Sequence, residues 1–153
     1  MKPDLPILSG KEARQFIALV KEQYGSVPNF FDDVVFARRK DRIVILNRDI
    51  EGIIGASLRI NSMGLYIAEV KDSQLRLSIE GAQLIGPVAS RNIYEIDDGK
   101  MRQWFKGEDI SCDLSFSGFV ILKWNDDFIG SGRYKEGFIL NFVPKARRLI
   151  DVH

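Results

Sequence analysis

The stretch GSGRYKEGFILNFVPKARR, from Gly130 to Arg148, sets five cationic side chains among three aromatics and three glycines. That mixture suits one kind of chemistry. Lys and Arg hold phosphate oxygens, Arg in bidentate fashion through its planar fork, and aromatic faces stack on bases. The cations are Arg133, Lys135, Lys145, Arg147 and Arg148, opposed only by Glu136. Pro144 precedes the last three, and its fixed φ predicts a stiff segment that pre-positions them. A second basic cluster, ARRKDR, spans Ala37 to Arg42. Against a polyanion cradle stands the plainer alternative of two strands with a solvated rim, because Lys and Arg cover any soluble surface.

The rings that could stack bases are Trp104, Phe105, Trp124, Phe128, Tyr134, Phe138 and Phe142. A small β-barrel needs most of them for its interior. Tyr134, flanked by Arg133 and Lys135, is the ring expected at the surface. Gly130 and Gly132 lie two apart on one strand face. They fit either a tightly curved strand approached by another backbone, or a surface that a ligand such as a nucleic-acid backbone comes near.

Catalytic constellations are scarce. Adjacent acids occur at Asp32-Asp33, Asp97-Asp98 and Asp126-Asp127, but consecutive side chains on a strand diverge, so turn and capping roles are expected. Cys112 and His153 are too few for a four-ligand zinc site, and His153 at the last position is a poor place for an oriented catalytic imidazole. The GSG of Gly130–Gly132 lacks the spacing of a nucleophile elbow, and neither a phosphate-binding loop of the Walker type nor a G-x-G-x-x-G occurs. The expectation is a protein that is not an enzyme, with no metal and no cofactor.

The 153 residues suffice for one domain or two small ones, and an apolar fraction of 45% provides a core without staples. Cys112 has no partner for an intrachain disulfide, which suits a reducing, cytoplasmic setting. The opening MKPDLPILSGKEARQ lacks the layout of a signal peptide, and no apolar run approaches the roughly 20 residues that span a bilayer. With 22 Lys and Arg against 21 Asp and Glu, the net charge of +1 excludes a nonspecific basic coat, so charge matters only locally.

Ser9 with Glu12 has capping-box spacing, and Ala13, Phe16, Ile17 and Val20 recur at helical period, predicting a helix from about Gly10 to Tyr24. VVFARRKDRIVILN predicts a hairpin with Arg39 and Lys40 near its tip. After a turn region at IEGIIGAS, the runs LRIN, GLYIAEV and QLRLSI predict three short strands. Ser78, Ala82, Ile85, Val88 and Ala89 then predict a helix that Gly86 and Pro87 loosen. From Arg91 the texture changes: NIYEI predicts a strand, and DDGKMRQWFKGED a short helix with Met101, Trp104 and Phe105 on one face and Gly107 at its end. SGFVILKW, FIGSGRY and GFILNFV predict strands joined at NDD and KEG, closing into a small, mostly antiparallel barrel. The fold class expected is α+β, with a mixed α/β domain over residues 1–90 and a β-rich domain over residues 91–153.

The run GFVILKWNDDFIGSGRYKEGFILNFVPKARRL resembles the end of a PUA domain, the RNA-binding module of pseudouridine synthases and archaeosine transglycosylases. In particular, the apolar strand, the acidic turn, IGSGR and then G-x-I-L-N-x-x-P-K-x-x-R are similar to the C-terminal RNA-binding region of Sun/Nop-type RNA cytosine-5 methyltransferases. Upstream, INSMGLYIAEVKDSQLRLSIEGAQLIGP and KGEDI resemble that region and also the Nip-type ribosome-biogenesis factors, which join an α/β pre-PUA domain to a PUA domain. The likeness runs from about Leu58 to Leu149. It implies a PUA pseudo-barrel over residues 91–153 that binds structured ribosomal or transfer RNA in ribosome biogenesis, rRNA processing or RNA modification. Carried onto this chain, the implied RNA-binding positions are Lys106 beside Gly107, the strand Gly130, Gly132 and Arg133, and Lys145, Arg147 and Arg148. Tyr134 and Lys135 join them from the residue reading. The catalytic domain of those methyltransferases, with its cysteines, is absent from this sequence. Two roles follow: a non-catalytic RNA-binding protein, or an accessory subunit docking on a separate RNA methyltransferase or ribosome-assembly protein.

Overall fold

Ser9 opens helix α1 (Gly10–Tyr24): its hydroxyl accepts from the Glu12 N–H at 3.1 Å, and the Glu12 carboxylate accepts from the Ser9 N–H at 3.1 Å. This is the capping box that the two residue types predict. Bonding to the Ser9 backbone and hydroxyl draws the Glu12 carboxyl below its ordinary range. The structure, a computed structural model, describes residues 6–47, 64–143 and 145–148. The expected strand at LRIN, the turn at IEGIIGAS, the stiffening Pro144 and the terminal His153 lie outside the described residues. Phe16, Val20 and Tyr24 form the buried face of α1. The helix stops at Gly25, and Arg91 Nε and Asn92 Nδ2 donate to the terminal carbonyls of Glu22 and Gln23 at 2.9 and 2.5 Å. Distant side chains thus satisfy carbonyls that a helix end leaves without partners.

The first sheet is antiparallel throughout, in the order β1 (Val34–Arg39), β2 (Arg42–Asn47), β3 (Leu65–Lys71), β4 (Gln74–Leu77). The hairpin tip falls at Lys40, in the left-handed region at φ 56. Helix α2 (Ile79–Ile85), capped by the Ser78 hydroxyl on the Gly81 N–H at 3.0 Å, runs into a 3-10 turn at Gly86–Val88. The loosening is where Gly86 and Pro87 predict it.

The second sheet has the order β5–β7–β8–β9–β6, with β5 (Ile93–Ile96) parallel to β7 (Phe119–Trp124). The remaining pairs, among β7, β8 (Asp127–Lys135), β9 (Phe138–Leu140) and the two-residue β6 (Ile110–Ser111), are antiparallel. Strand β6 is too short for periodicity to reveal it. The NDD and KEG turns are present, with Asn125, Glu136 and Gly137 at φ 54, 48 and 88, the positive values that tight hairpins use. Helix α3 (Asp98–Phe105) starts at an Asp97 cap. It closes through Gly107 at φ 94, with Gly107 N–H and Glu108 N–H donating to Trp104 O and Gln103 O, a Schellman ending. Helices and two sheets make the fold α+β. Among the described residues no helix is long and apolar enough to cross a membrane.

Two large apolar clusters, beside a small one of Ala37, Val44 and Leu46, fill the interior of the described residues. One holds Phe16, Val20, Phe31, Phe36, Ile67, Leu75 and Ile85, and it also takes in Ile121 from the second sheet, with Phe128 packed against it. The other surrounds Trp104 with Ile110, Val120, Leu122, Ile129 and Ile139. Between them runs the outer edge of β4, where Leu75 and Leu77 turn N–H and C=O groups away from β3. The Gln23 side-chain amide closes both groups of Leu75, at 2.9 and 2.7 Å. The Ser131 hydroxyl closes both groups of Leu77, accepting at 3.1 Å and donating at 2.9 Å. Each side chain stands where a further strand would otherwise have to pair.

Candidate nucleic-acid interface

Strand β8 carries the core of the candidate stretch, and its two halves differ. Gly130, Ser131 and Gly132 are buried, whereas Arg133 and Lys135 are exposed. The burial has a steric reason. A Cβ on Gly132 would meet Leu140 O at 2.4 Å and the Trp104 ring at 2.6 Å, so the glycine lets β9 and α3 close over the strand. Gly130 has space, its nearest neighbours being 3.4 Å or more from a Cβ, but it sits at φ 148, where the pairing with β7 shifts register between Leu122 and Lys123. Of the two readings open in the sequence, close backbone approach describes Gly132, and a bulged backbone describes Gly130.

Arg133 and Lys135 share a strand face, and Tyr134 points to the other. Its ring meets Phe116 edge-on at 6.2 Å and packs on the second core, so Tyr134 is half-buried. Of the seven candidate rings, the exposed ones are Phe138, 49% exposed, and Phe142, 39% exposed. Phe138 lies directly across from Lys135 in the β8–β9 register. The charged neighbours of Tyr134 predict an exposed ring. Alternation along β8 instead sends it inward between them.

The C-terminal cations divide similarly. Lys145 and Arg147 fall in a 3-10 turn (Lys145–Arg147). Arg147 grips the Glu80 carboxylate of α2 with one guanidinium nitrogen, reaching Oε2 at 2.7 Å and Oε1 more closely. Arg148 donates to Val143 O at 3.0 Å and lies across Gly107, so it joins the α3 terminus where Lys106 is exposed. Asn141 builds this junction. Its amide donates to Trp104 O and Glu108 O at 2.8 and 2.9 Å, its backbone N–H to Asp109 at 2.8 Å, and its carbonyl accepts from Val143 N–H at 2.7 Å. The structure therefore brings Lys106 and Arg148 together across Gly107, and sets Arg133 and Lys135 along the exposed β8 face. Among the described residues Lys106, Arg133, Lys135 and Lys145 make no ion pair, and Arg147 is tied to Glu80.

Sequence reasoning missed a further group. Arg42 lies over the Tyr66 ring at 4.7 Å, and Arg76, paired with Glu69, over the Phe142 ring at 4.8 Å. Their signal in sequence was slight: Arg42 ends the ARRKDR cluster, and Arg76 is one polar position in QLRL. Elsewhere Lys100 donates to the Tyr94 hydroxyl at 2.8 Å, which in turn donates to Asp113 at 3.0 Å. That bond to Tyr94 holds the Lys100 ammonium above its ordinary range. Among the described residues no three His, Cys, Asp or Glu side chains gather as a metal would require. Of the acid pairs, Asp97 caps α3 and Asp98 accepts from Trp124 Nε1 at 2.8 Å, while Asp126 lies in the β7–β8 turn.

Comparison with known proteins places this geometry. Residues 91–149 match the family model described as "Methyltransferase RsmF PUA domain". Similar relatives are named ribosomal RNA small subunit methyltransferase F. That of Vibrio cholerae serotype O1 (strain M66-2) is 29% identical over 115 residues, covering 74% of this chain and 24% of the relative. The protein of Vibrio atlanticus (strain LGP32) is 30% identical over 115 residues, with the same coverage of 74% and 24%. The protein of Aeromonas hydrophila is 27% identical over 146 residues, covering 94% of this chain and 29% of the relative. The chain spans about a quarter of the length of these curated relatives, matching 24% of the first. Over residues 91–149 the chain is thus similar to the PUA domain of RsmF-type RNA methyltransferases.

Proposed function

We propose that this chain is a non-catalytic, cytoplasmic RNA-binding protein for structured ribosomal or transfer RNA, serving ribosome biogenesis, rRNA processing or RNA modification. The observation that carries this reading is the PUA match over residues 91–149. On this reading residues 1–90 form a mixed α/β pre-PUA domain, and residues 91–153 a pseudo-barrel whose sheet is β5–β7–β8–β9–β6. Lys106, Arg133, Lys135 and Lys145, which have no carboxylate partner among the described residues, meet phosphates. Shape and 2′-hydroxyl contacts supply selectivity, because a folded RNA exposes little else to a shallow surface. Arg147 contributes less, since an RNA phosphate must compete with Glu80 for its guanidinium.

An accessory role beside a separate RNA methyltransferase is the second reading, favoured by the relatives being named methyltransferases. Fluorescence anisotropy with ribosomal-RNA fragments and transfer RNA at several salt concentrations tests the first. The native chain should bind with a steep salt dependence. The triple variant K106E/R133E/K135E should lose affinity, with its log–log salt slope flattened by roughly 2 to 3. Equal binding by the two folded proteins rules out this surface, and retention of a methyltransferase on immobilised native chain without RNA affinity favours the second reading.

A further inference from the structure

A groove of about 360 Å³ lies where the two sheets meet, within the size range of small-ligand pockets. Three arginines from separate elements line it: Arg42 from β2, Arg76 from β4 and Arg147 from the 3-10 turn. Tyr66 and Phe142 line it too, each already under a guanidinium plane. Arg42 is exposed and makes no hydrogen bond or ion pair among the described residues, so its donors are unspent. Gly130 and Ser131 of β8 line the groove as well. Near it, Trp104 Nε1 stands 3.4 Å from where a Cβ of Gly130 would be, a fully buried donor without a partner among the described residues.

The charge balance narrows the ligand. Three guanidiniums with Glu80 among them, and Glu69 held by Arg76, leave a modest positive excess rather than a polyanion trough. A single phosphodiester suits that excess. A base brings N–H donors that can join Arg147 on the Glu80 carboxylate, and a π-face for the exposed part of the Phe142 ring that Arg76 and Phe119 leave open, neither of which a bare phosphate offers. A volume of about 360 Å³ suits one nucleotide rather than a duplex.

We propose that this groove binds one unpaired nucleotide of an RNA, its phosphate on Arg42 and Arg76 and its base against Phe142. The proposal rests on the RNA-binding reading above but uses a different place. Arg42, Tyr66 and Arg76 all lie outside the 91–149 match, so the first sheet would take part in recognition.

The test uses the full chain and two fluorescein-labelled probes: an RNA hairpin with a five-nucleotide single-stranded loop, and a blunt RNA duplex of equal length. Arg42→Gln and Phe142→Ala, both at exposed positions, should each weaken hairpin binding by about tenfold while duplex binding holds. R133E/K135E should weaken both probes alike. If R42Q and F142A, confirmed folded by circular dichroism, bind the hairpin as the native chain does, the groove proposal is wrong and the RNA-binding reading survives. Equal weakening of both probes also overturns it, since Arg42 would then act only through the general field. Binding of neither probe by the native chain at low salt removes the proposal and the RNA-binding reading together.

Discussion

Two adjacent pieces of β8 carry opposite tasks. Gly130–Gly132 lies buried where the sheets join, with Ser131 bonding both backbone groups of Leu77, while Arg133 and Lys135 stand in solvent one and three residues further on. The difference lies in what sits opposite. The first piece faces an unpaired strand edge and the Trp104 ring, which admit only small or hydrogen-bonding side chains. The second faces nothing that demands a shape. Composition alone makes the segment look like one basic, glycine-rich surface, and its chemistry is two.

If the junction is as closely fitted as its distances say, the largest effect belongs to Gly132→Ala. The new methyl would lie 2.4 Å from Leu140 O, a backbone atom that cannot swing aside. A loss of about 3 kcal/mol, read from the urea midpoint, is expected. A midpoint within experimental error of the native value would mean that β9 is not held there. Ser131→Ala comes next. It makes no clash but strips partners from the buried N–H and C=O of Leu77, at an expected cost of about 2 kcal/mol. Ser131→Thr keeps the hydroxyl and separates the lost bonds from the packing, and it should recover part of the loss if the bonds are what matters.

The other bond pair on the β4 edge supplies a pH-dependent version of the comparison. Tyr24 is fully buried beside Gln23, its hydroxyl accepting from Gln23 Nε2 at 2.8 Å and lying 3.3 Å from Leu75 O. Burial pushes its phenol well above the ordinary value of 10.0, with the Gln23 bond opposing only in part. The folded state therefore keeps a proton that the unfolded chain releases. The stability linked to Tyr24 is intact below pH 10 and falls as pH rises past it, by about 1.4 kcal/mol for each further unit until the folded group itself ionises. Tyr24→Phe should flatten that alkaline decline relative to the native chain. Parallel alkaline curves for the two proteins would show that the phenol titrates normally.

Much of this fold is legible in sequence where a local rule acts alone. The capping box at Ser9, the loosening at Gly86 and Pro87, and the NDD and KEG turns each follow from a few neighbouring residues. What the sequence hides depends on distant partners. Ser131 reads as a spacer between glycines, and only the Leu77 edge, far away in the chain, gives it a task. Arg76 reads as the polar half of an alternating strand until Phe142 and Glu69 are found beside it. The basic rim is visible as composition, but which of its cations are already engaged is not. Arg147 and Arg148 look equivalent in sequence, yet one holds a carboxylate on α2 and the other a carbonyl near Gly107.

The smallest expected effect is the sharpest check on the difference between the two pieces. Arg133 and Lys135 make no ion pair among the described residues, and both are exposed. Reversing both charges removes no ion pair or side-chain hydrogen bond among the described residues, so R133E/K135E should shift the urea midpoint by less than about 0.5 kcal/mol. Because Glu136 adjoins them, the new acids would crowd it, and a small destabilisation that vanishes in high salt is the form any residual effect should take. A salt-independent loss comparable to that of Ser131→Ala would mean that the exposed piece of β8 is structural too. Any fall in RNA affinity on reversing those charges would then report unfolding rather than lost phosphate contacts.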